Sequence, residues 1–206
     1  MIDFPPPDPA LEIVIASRGM SKGIAQTDGP QVVARGELAF GHFYIAAQAK
    51  NVSSPTSDGE VAGLVGIRTQ TSGFELSGSA AYKSATAPMG VIDAEALELS
   101  GNISRKIGRI TPRISVTWSP NDLGSTGRTI YAEAVLTYSL NPRMTISSGV
   151  GRRERVGGPD YTAFNLGVSH TLGRHFAFDA RYFDTNKSWF GEPFRRRVVA
   201  SLRARF

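Results

Sequence analysis

The chain closes on Arg195-Arg-Arg-Val-Val-Ala-Ser-Leu-Arg-Ala-Arg-Phe206, and the reading of this stretch decides the fold. Val198, Ala200, Leu202, Ala204 and Phe206 occupy alternate positions. Arg197, Ser201, Arg203 and Arg205 occupy the positions between them, with Val199 the exception. Successive side chains of a β-strand point to opposite faces, so the stretch reads as a strand with one apolar and one arginine-rich face. A soluble core has little use for that combination. A wall with lipid on one side and water on the other requires it.

The same two-residue period recurs along the chain. Strands are expected over residues 11–20, 31–40, 43–50, 60–70, 74–83, 97–104, 113–118, 130–140, 144–153, 164–169 and 176–182, ahead of the final strand. Val32, Ala34, Gly36, Leu38 and Phe40 alternate with Gln31, Arg35 and Glu37. Residues 60–70 fit less cleanly: if Val61, Val65 and Ile67 face outward, Leu64 faces inward. The connections alternate between long, rich in Gly, Pro, Ser and Asp, and short, such as Asn141-Pro142 and Leu172-Gly-Arg174. An even strand number with loops sorted by parity is the layout of an outer-membrane barrel, with short periplasmic turns, long outer loops and both termini periplasmic. The expectation is therefore an all-β chain forming a single transmembrane antiparallel up-and-down β-barrel of about twelve strands. It would cover residues 11–206, behind a proline-rich periplasmic tail at residues 1–10.

Composition agrees. The 206 residues include no cysteine, which excludes disulfides and cysteine-built metal sites. No apolar run is long enough for a spanning helix, and the mean hydropathy of −0.15 suits strands that are only half apolar. The net charge of +5 is spread through the alternating strands with no single basic patch, so nucleic acid is not an expected partner. The first residues, Met1-Ile-Asp-Phe-Pro-Pro-Pro, lack the charged and apolar regions of a signal peptide. A mature form carrying an added Met1, or a truncated start, is expected for a protein of the bacterial outer membrane.

Aromatic residues gather at both strand ends. Phe40, Phe43, Phe74, Tyr138, Phe176 and Phe206 lie beside short turns, while Tyr82, Trp118, Tyr161, Tyr182, Trp189 and Phe190 lie near long loops. Two interfacial girdles are the expected arrangement, with outer-membrane lipid as the partner of the outer wall. The outward faces are nonetheless rich in Ala and Gly.

Charge that cannot face lipid must face the lumen. The lumen-lining candidates for selectivity are Arg181, Arg197, Arg203, Arg205, Arg113, Arg35 and Lys50, with Glu37, Glu133 and Asp179. Arg18, Arg68, Lys83 and Arg153 are expected beside them, opposed by Glu12, Glu60, Glu75 and Glu98. The cation excess favours anions if the lumen is open. Arg197, Arg203 and Arg205 on one strand, with Arg181 on the strand before, suggest an electropositive ladder attracting carboxylate or phosphate solutes. If the charges pair across a narrow barrel they plug it, and the barrel is structural or adhesive.

An enzyme is the rival class. His42, His170 and His175 all sit near short turns, and Ser169-His170 are neighbours that point to opposite faces and cannot form a dyad. Gly167-Val-Ser-His-Thr171 lacks the second glycine of a nucleophile elbow. No catalytic residue, cofactor or metal site is expected, and passive diffusion of small hydrophilic solutes, leaning to anions, is the function the pattern favours.

Ser17-Arg-Gly-Met-Ser21, followed by Thr27-Asp-Gly-Pro30 and the strand Val32 to Phe40, resembles the start of the TorF family of porins. The hairpin from Asp160-Tyr-Thr162 to Leu172-Gly173 and the short last strand are similar to that family too, although its first strand begins sooner than the proline-rich tail here allows. The resemblance implies a small outer-membrane barrel and brings no catalytic residues. The terminal Phe206 also resembles the C-terminal signature of outer-membrane barrels, which implies recognition by the barrel-assembly machinery.

Overall fold

The computed structural model describes residues 5–54, 57–87, 93–124 and 126–206. Its strands are β1 Asp8–Ala16, β2 Met20–Ser21, β3 Ile24–Ala25, β4 Gln31–Phe40, β5 Phe43–Ser54, β6 Ser57–Thr71 and β7 Phe74–Thr86. They continue with β8 Glu95–Arg105, β9 Ile110–Asp122, β10 Gly127–Asn141, β11 Met144–Arg155, β12 Tyr161–Leu172, β13 Phe176–Thr185 and β14 Arg197–Arg205. One turn of 3-10 helix, Glu192–Phe194, precedes β14.

Twelve of these strands, β1 and β4 to β14, close into an antiparallel barrel in which each pairs with its neighbours in sequence. The seam joins the two ends of the chain. Glu12 stands opposite Arg205 and Ala16 opposite Ser201, and Leu11 and Phe206 exchange backbone hydrogen bonds of 2.9 Å in both directions. Closure leaves no strand edge unpaired, the one way a sheet satisfies its backbone within lipid.

The two faces sort as the alternation requires. Leu11, Ile15, Leu38, Ile45, Val65, Ile67, Ile114, Leu136, Leu166 and Leu202 are exposed on the outside although apolar. Glu60, Ser119, Asp122, Thr129, Ser147 and Arg153 are buried inside although polar. Leu64 takes the inward position, between Ala46 on β5 and Ala81 on β7, whose small side chains leave it room.

Several boundaries move. β1 opens at Asp8, so Asp8, Pro9 and Ala10, expected in the tail, pair with Ala39, Leu38 and Glu37. β1 ends at Ala16 rather than Met20, and β14 begins at Arg197 rather than Arg195. The expected loop 52–59 is largely strand: β5 runs to Ser54 and β6 starts at Ser57, leaving residues 55–56 outside the described set. Likewise β9 and β10 extend to Asp122 and Gly127, so much of the expected loop 119–127 is ladder. Turn-forming residues marked the rim of the wall correctly but not how far the strands rise above it. The loop expected from Ser84 to Asp93 lies partly outside the described residues, at 88–92.

Candidate functional site in the barrel lumen

The lumen has two layers, set by two different parts of the sequence. At the short-turn end the wall itself supplies the groups. Arg181 on β13 donates from Nη1 to Asn165 Oδ1 at 2.6 Å and from Nη2 to Ser147 Oγ at 2.7 Å. Its Nη2 also meets Asp179 Oδ2 at 3.2 Å, and Ser169 Oγ donates to the same oxygen at 2.6 Å. Gly167 makes this possible, because a Cβ there would stand 2.8 Å from the Arg181 guanidinium carbon. Asn165 also bonds Glu133, which takes Arg113 at 3.6 Å.

Two other cations in this layer are held more loosely. Arg203 lies 3.7 Å from Glu12 and keeps 58% of its side-chain exposure, and Arg113 keeps 50%. Glu37 gathers Arg35 at 2.8 Å and Arg68 at 2.5 Å, with both guanidinium groups over the Tyr44 ring. A cavity of about 580 Å³ is lined by hydroxyls of Ser104, Thr111, Thr137 and Thr145 together with Arg113, Arg181 and Arg203. A neighbouring cavity of about 650 Å³ shares Ser104 and Arg113 with it.

At the long-loop end the connection from β1 to β4 folds into the mouth. Strands β2 and β3 form a miniature hairpin whose turn residues, Lys22 and Gly23, have φ of 50° and 83°. That left-handed turn suits a glycine and matches the twist of a two-residue hairpin. Thr27, 1% exposed, fastens the base: it accepts from Gly19 N at 2.7 Å and donates to Gly29 O at 2.6 Å. The tip then passes β12 and reaches β8 and β9, across the ring from β1. Lys22 Nζ sits 2.7 Å from Glu98 and 2.8 Å from Asp122, and Tyr161 Oη donates to the Lys22 carbonyl at 2.8 Å.

Around this tip the mouth is packed and paired. Lys83 meets Glu98 at 2.6 Å, Arg153 meets Asp122 at 2.9 Å, and Lys50 meets Glu60 at 3.2 Å. Tyr161, Ala163 and Phe194 form a buried apolar cluster against Ile24. Phe194 comes from the loop before β14, whose Glu192 binds both Arg18 and Arg197. A cavity of about 470 Å³ lies among Lys22, Lys83, Asp122, Arg153, Arg155 and Phe194.

The sequence candidates are thus divided between the layers. Arg35, Glu37, Arg113, Glu133, Asp179, Arg181 and Arg203 belong to the short-turn half, with Arg205 at its rim beside His175. Lys50 and Arg197 belong to the mouth. Arg197 and Arg205 are eight positions apart on β14, roughly 26 Å at ~3.3 Å per residue. Carboxylates partner Arg181, Arg197 and Arg203, so the four arginines are not one free ladder. Arg18 lies in a loop, not on the inner wall. Tyr161, expected in the outer girdle, points inward and is fully buried.

Sequence reading passed over Lys22, Asp122 and Phe194, all in presumed loops. The one available signal was Lys22-Gly23 between two short apolar-containing pairs. Among the described residues, no group of three or more His, Asp or Glu could hold a metal ion.

A family model described as "Bacterial protein of unknown function (Gcw_chp)" matches residues 23–191. The chain belongs to the Gcw_chp family. A search of curated proteins finds no match for this Gcw_chp member. Its barrel is similar to solved porin structures. The KdgM porin superposes with a TM-score of 0.65 at 9% identity, covering 96% of this chain and 99% of the other. The KdgM porin in complex with disordered oligogalacturonate gives 0.64 at 9% identity over the same shares. The NanC porin gives 0.61 at 9% identity, covering 95% and 98%. At such identities the likeness is one of fold: this Gcw_chp chain is a porin-like twelve-stranded barrel, matched nearly end to end.

Proposed function

We propose that the protein is an outer-membrane channel for passive diffusion of small hydrophilic solutes, with a preference for anions. The observation that carries this reading is the lumen: one cavity lies in the short-turn half of the wall, and a second lies against the inward-folded hairpin that makes a waist at the mouth. A wall built only to be filled would not leave hydroxyl-lined space of about 580 Å³ beside half-exposed Arg113 and Arg203. Those two arginines, loosely paired, are suited to passing an anionic group onward. The KdgM porin has been captured with oligogalacturonate, and acidic carbohydrates are a solute class that fits this lining too.

The long-loop end faces outward from the cell and the short turns face the periplasm. Lipid is the partner of the outer wall, and the assembly machinery is the partner of Phe206. No enzymatic step and no cofactor enter this reading. The resemblance of Ser17-Arg-Gly-Met-Ser21 and the strand that follows to the TorF porins supports this reading.

The test is conductance. Folding is first verified by the mobility difference between unheated and heated samples. The protein is then placed in a planar bilayer under a salt gradient. Steady steps with an anion-selective reversal potential are expected. A folded barrel without conductance refutes the channel and favours a plugged, structural or adhesive barrel, the reading to which the pairing of Lys22 lends weight.

A further inference from the structure

We infer that Lys22, Lys83 and Arg153 form an anion-binding site at the waist, which takes the carboxylate or phosphate group of a solute; this rests on the channel reading and supplies its selectivity element. The argument begins with charge. Among the described residues, Lys22, Lys83 and Arg153 share only Glu98 and Asp122 between them. Glu98 binds both lysines, and Asp122 binds Lys22 and Arg153. Of the other charged groups on the cavity wall, Glu60 is paired with Lys50 at 3.2 Å, and Asp93, bonded to the neutral Asn121 amide at 2.8 Å, is balanced in charge by Arg155. The cluster therefore carries one uncompensated positive charge inside a mouth where side chains are 9–15% exposed. A cation surplus in a poorly solvated place costs free energy until an anion completes it.

The second argument is a missing acceptor. Arg153 is 7% exposed, and among the described residues its buried Nε–H has no hydrogen-bond partner, while its Nη2 is held by Asp122 at 2.9 Å. Buried donors in native proteins have partners, and a guanidinium presents a fork that an oxyanion fills. The cavity of about 470 Å³ adjoins Arg153, Lys22 and Lys83, so an acceptor has room to arrive.

The third argument is placement. Two of the cations belong to the wall, but Lys22 belongs to a hairpin folded in from β1. The site therefore exists only while the hairpin is docked, and any solute crossing this level passes the cluster.

Two readouts test this. Calorimetric titration of the detergent-folded full chain with sodium gluconate reports binding without requiring conduction. Bilayer recording reports the reversal potential and the block of chloride current by gluconate. Gluconate is expected to bind, and Lys22→Gln to weaken binding about tenfold, the loss of one charge-assisted contact. Lys22→Gln and Lys22→Glu should move the reversal potential progressively toward cation preference. Lys22 sits on a loop, so both variants should keep the heat-modifiable mobility, and Lys83→Gln provides a second substitution on the wall. A barrel that conducts but binds no gluconate, or binds it equally well in Lys22→Gln and Lys83→Gln, overturns the site and leaves the channel standing. A silent barrel that binds gluconate through Lys22 overturns the channel and leaves the site. Absence of both overturns both.

Discussion

Replacing Gly23 with valine should undock the hairpin without unfolding the barrel. Gly23 has φ of 83°, where an L side chain costs about 1–2 kcal/mol. Its Cβ would also stand 2.1 Å from the Ala163 Cβ. Carbon atoms pack at about 3.5–4.0 Å, so the tip must retreat by about 1.5 Å. The Lys22 contacts of 2.7 and 2.8 Å and the 2.8 Å bond from Tyr161 would then stretch beyond hydrogen-bonding reach. Forced overpacking alone costs about 1–3 kcal/mol. The docked state should lose about 3–4 kcal/mol in all, a shift of more than about a hundredfold in the docked-to-undocked ratio. The chain has no cysteine, so a single Ile24→Cys in either background reports on this position alone. Its reaction with a water-soluble thiol reagent should accelerate in Gly23→Val, and conductance should rise. Gly29→Val in the same loop is the control, since nothing lies within 4 Å of its added Cβ. Equal labelling rates and conductance in Gly23→Val and the parent would refute the reasoning that the turn glycine holds the waist closed.

Other substitutions probe the wall. Ile114, 55% exposed on the outer face of β9, should cost about 2–4 kcal/mol of folding free energy in vesicles when replaced by lysine, whereas lysine at the inward neighbour Ser115 should cost far less; urea titration of both variants measures the difference, and equal costs would mean that the faces are misassigned. Removing Arg181 by Arg181→Gln strands Asp179, and because the pair keeps 19% and 28% exposure the loss should be about 1–2 kcal/mol. A double-mutant cycle with Asp179→Asn should show coupling, and strict additivity would argue against the network. Phe206→Ala should lower the amount of barrel reaching the membrane in cells yet leave detergent refolding intact, because the backbone pairing of Phe206 with Leu11 does not need the ring; equal yields in cells would remove the proposed role in assembly.

The wall was legible because its physics is local. A strand in lipid must be apolar at every second position whatever its partners are, so Val198, Leu202 and Phe206 announce their face without reference to any other strand. Parity of the connections then gave the topology. The facing of residues 60–70 stayed open, because the small Ala46 and Ala81 that admit an inward Leu64 lie on the neighbouring strands. The waist was not legible, because it depends on a loop crossing open space. Lys22 looks like any solvated loop lysine, and its meeting with Glu98 and Asp122 follows from closure of the ring, which no window of sequence contains. Tyr161 misled for a related reason. An aromatic at a strand end reads as girdle, but once the strand is seen to start at Tyr161 the alternation with Phe164 and Leu166 puts it on the inner parity, where Phe194 and the hairpin bury it.

The arginines divide by how tightly they are held, and that division bears on transport more than their number does. Arg181 has Asp179, Asn165 and Ser147 around its guanidinium, so its charge is spent on the wall. A solute gains little from a cation already surrounded by acceptors, and extracting it would leave Asp179 uncompensated. Arg113 and Arg203 touch their carboxylates only at 3.6 and 3.7 Å and remain half exposed, so each can turn to a passing anion and return. Conduction needs such sites, favourable enough to enter and weak enough to leave. Of the four arginines of the expected ladder, Arg181 and Arg197 are held by Asp179 and Glu192, and Arg203, loosely paired with Glu12, is the one we propose as a transit site. The strong anion contact falls instead at the waist, where cations outnumber carboxylates and one arginine donor lacks an acceptor. In the proposed channel, selection would fall once, where the hairpin crosses, and release would follow past the loosely held groups.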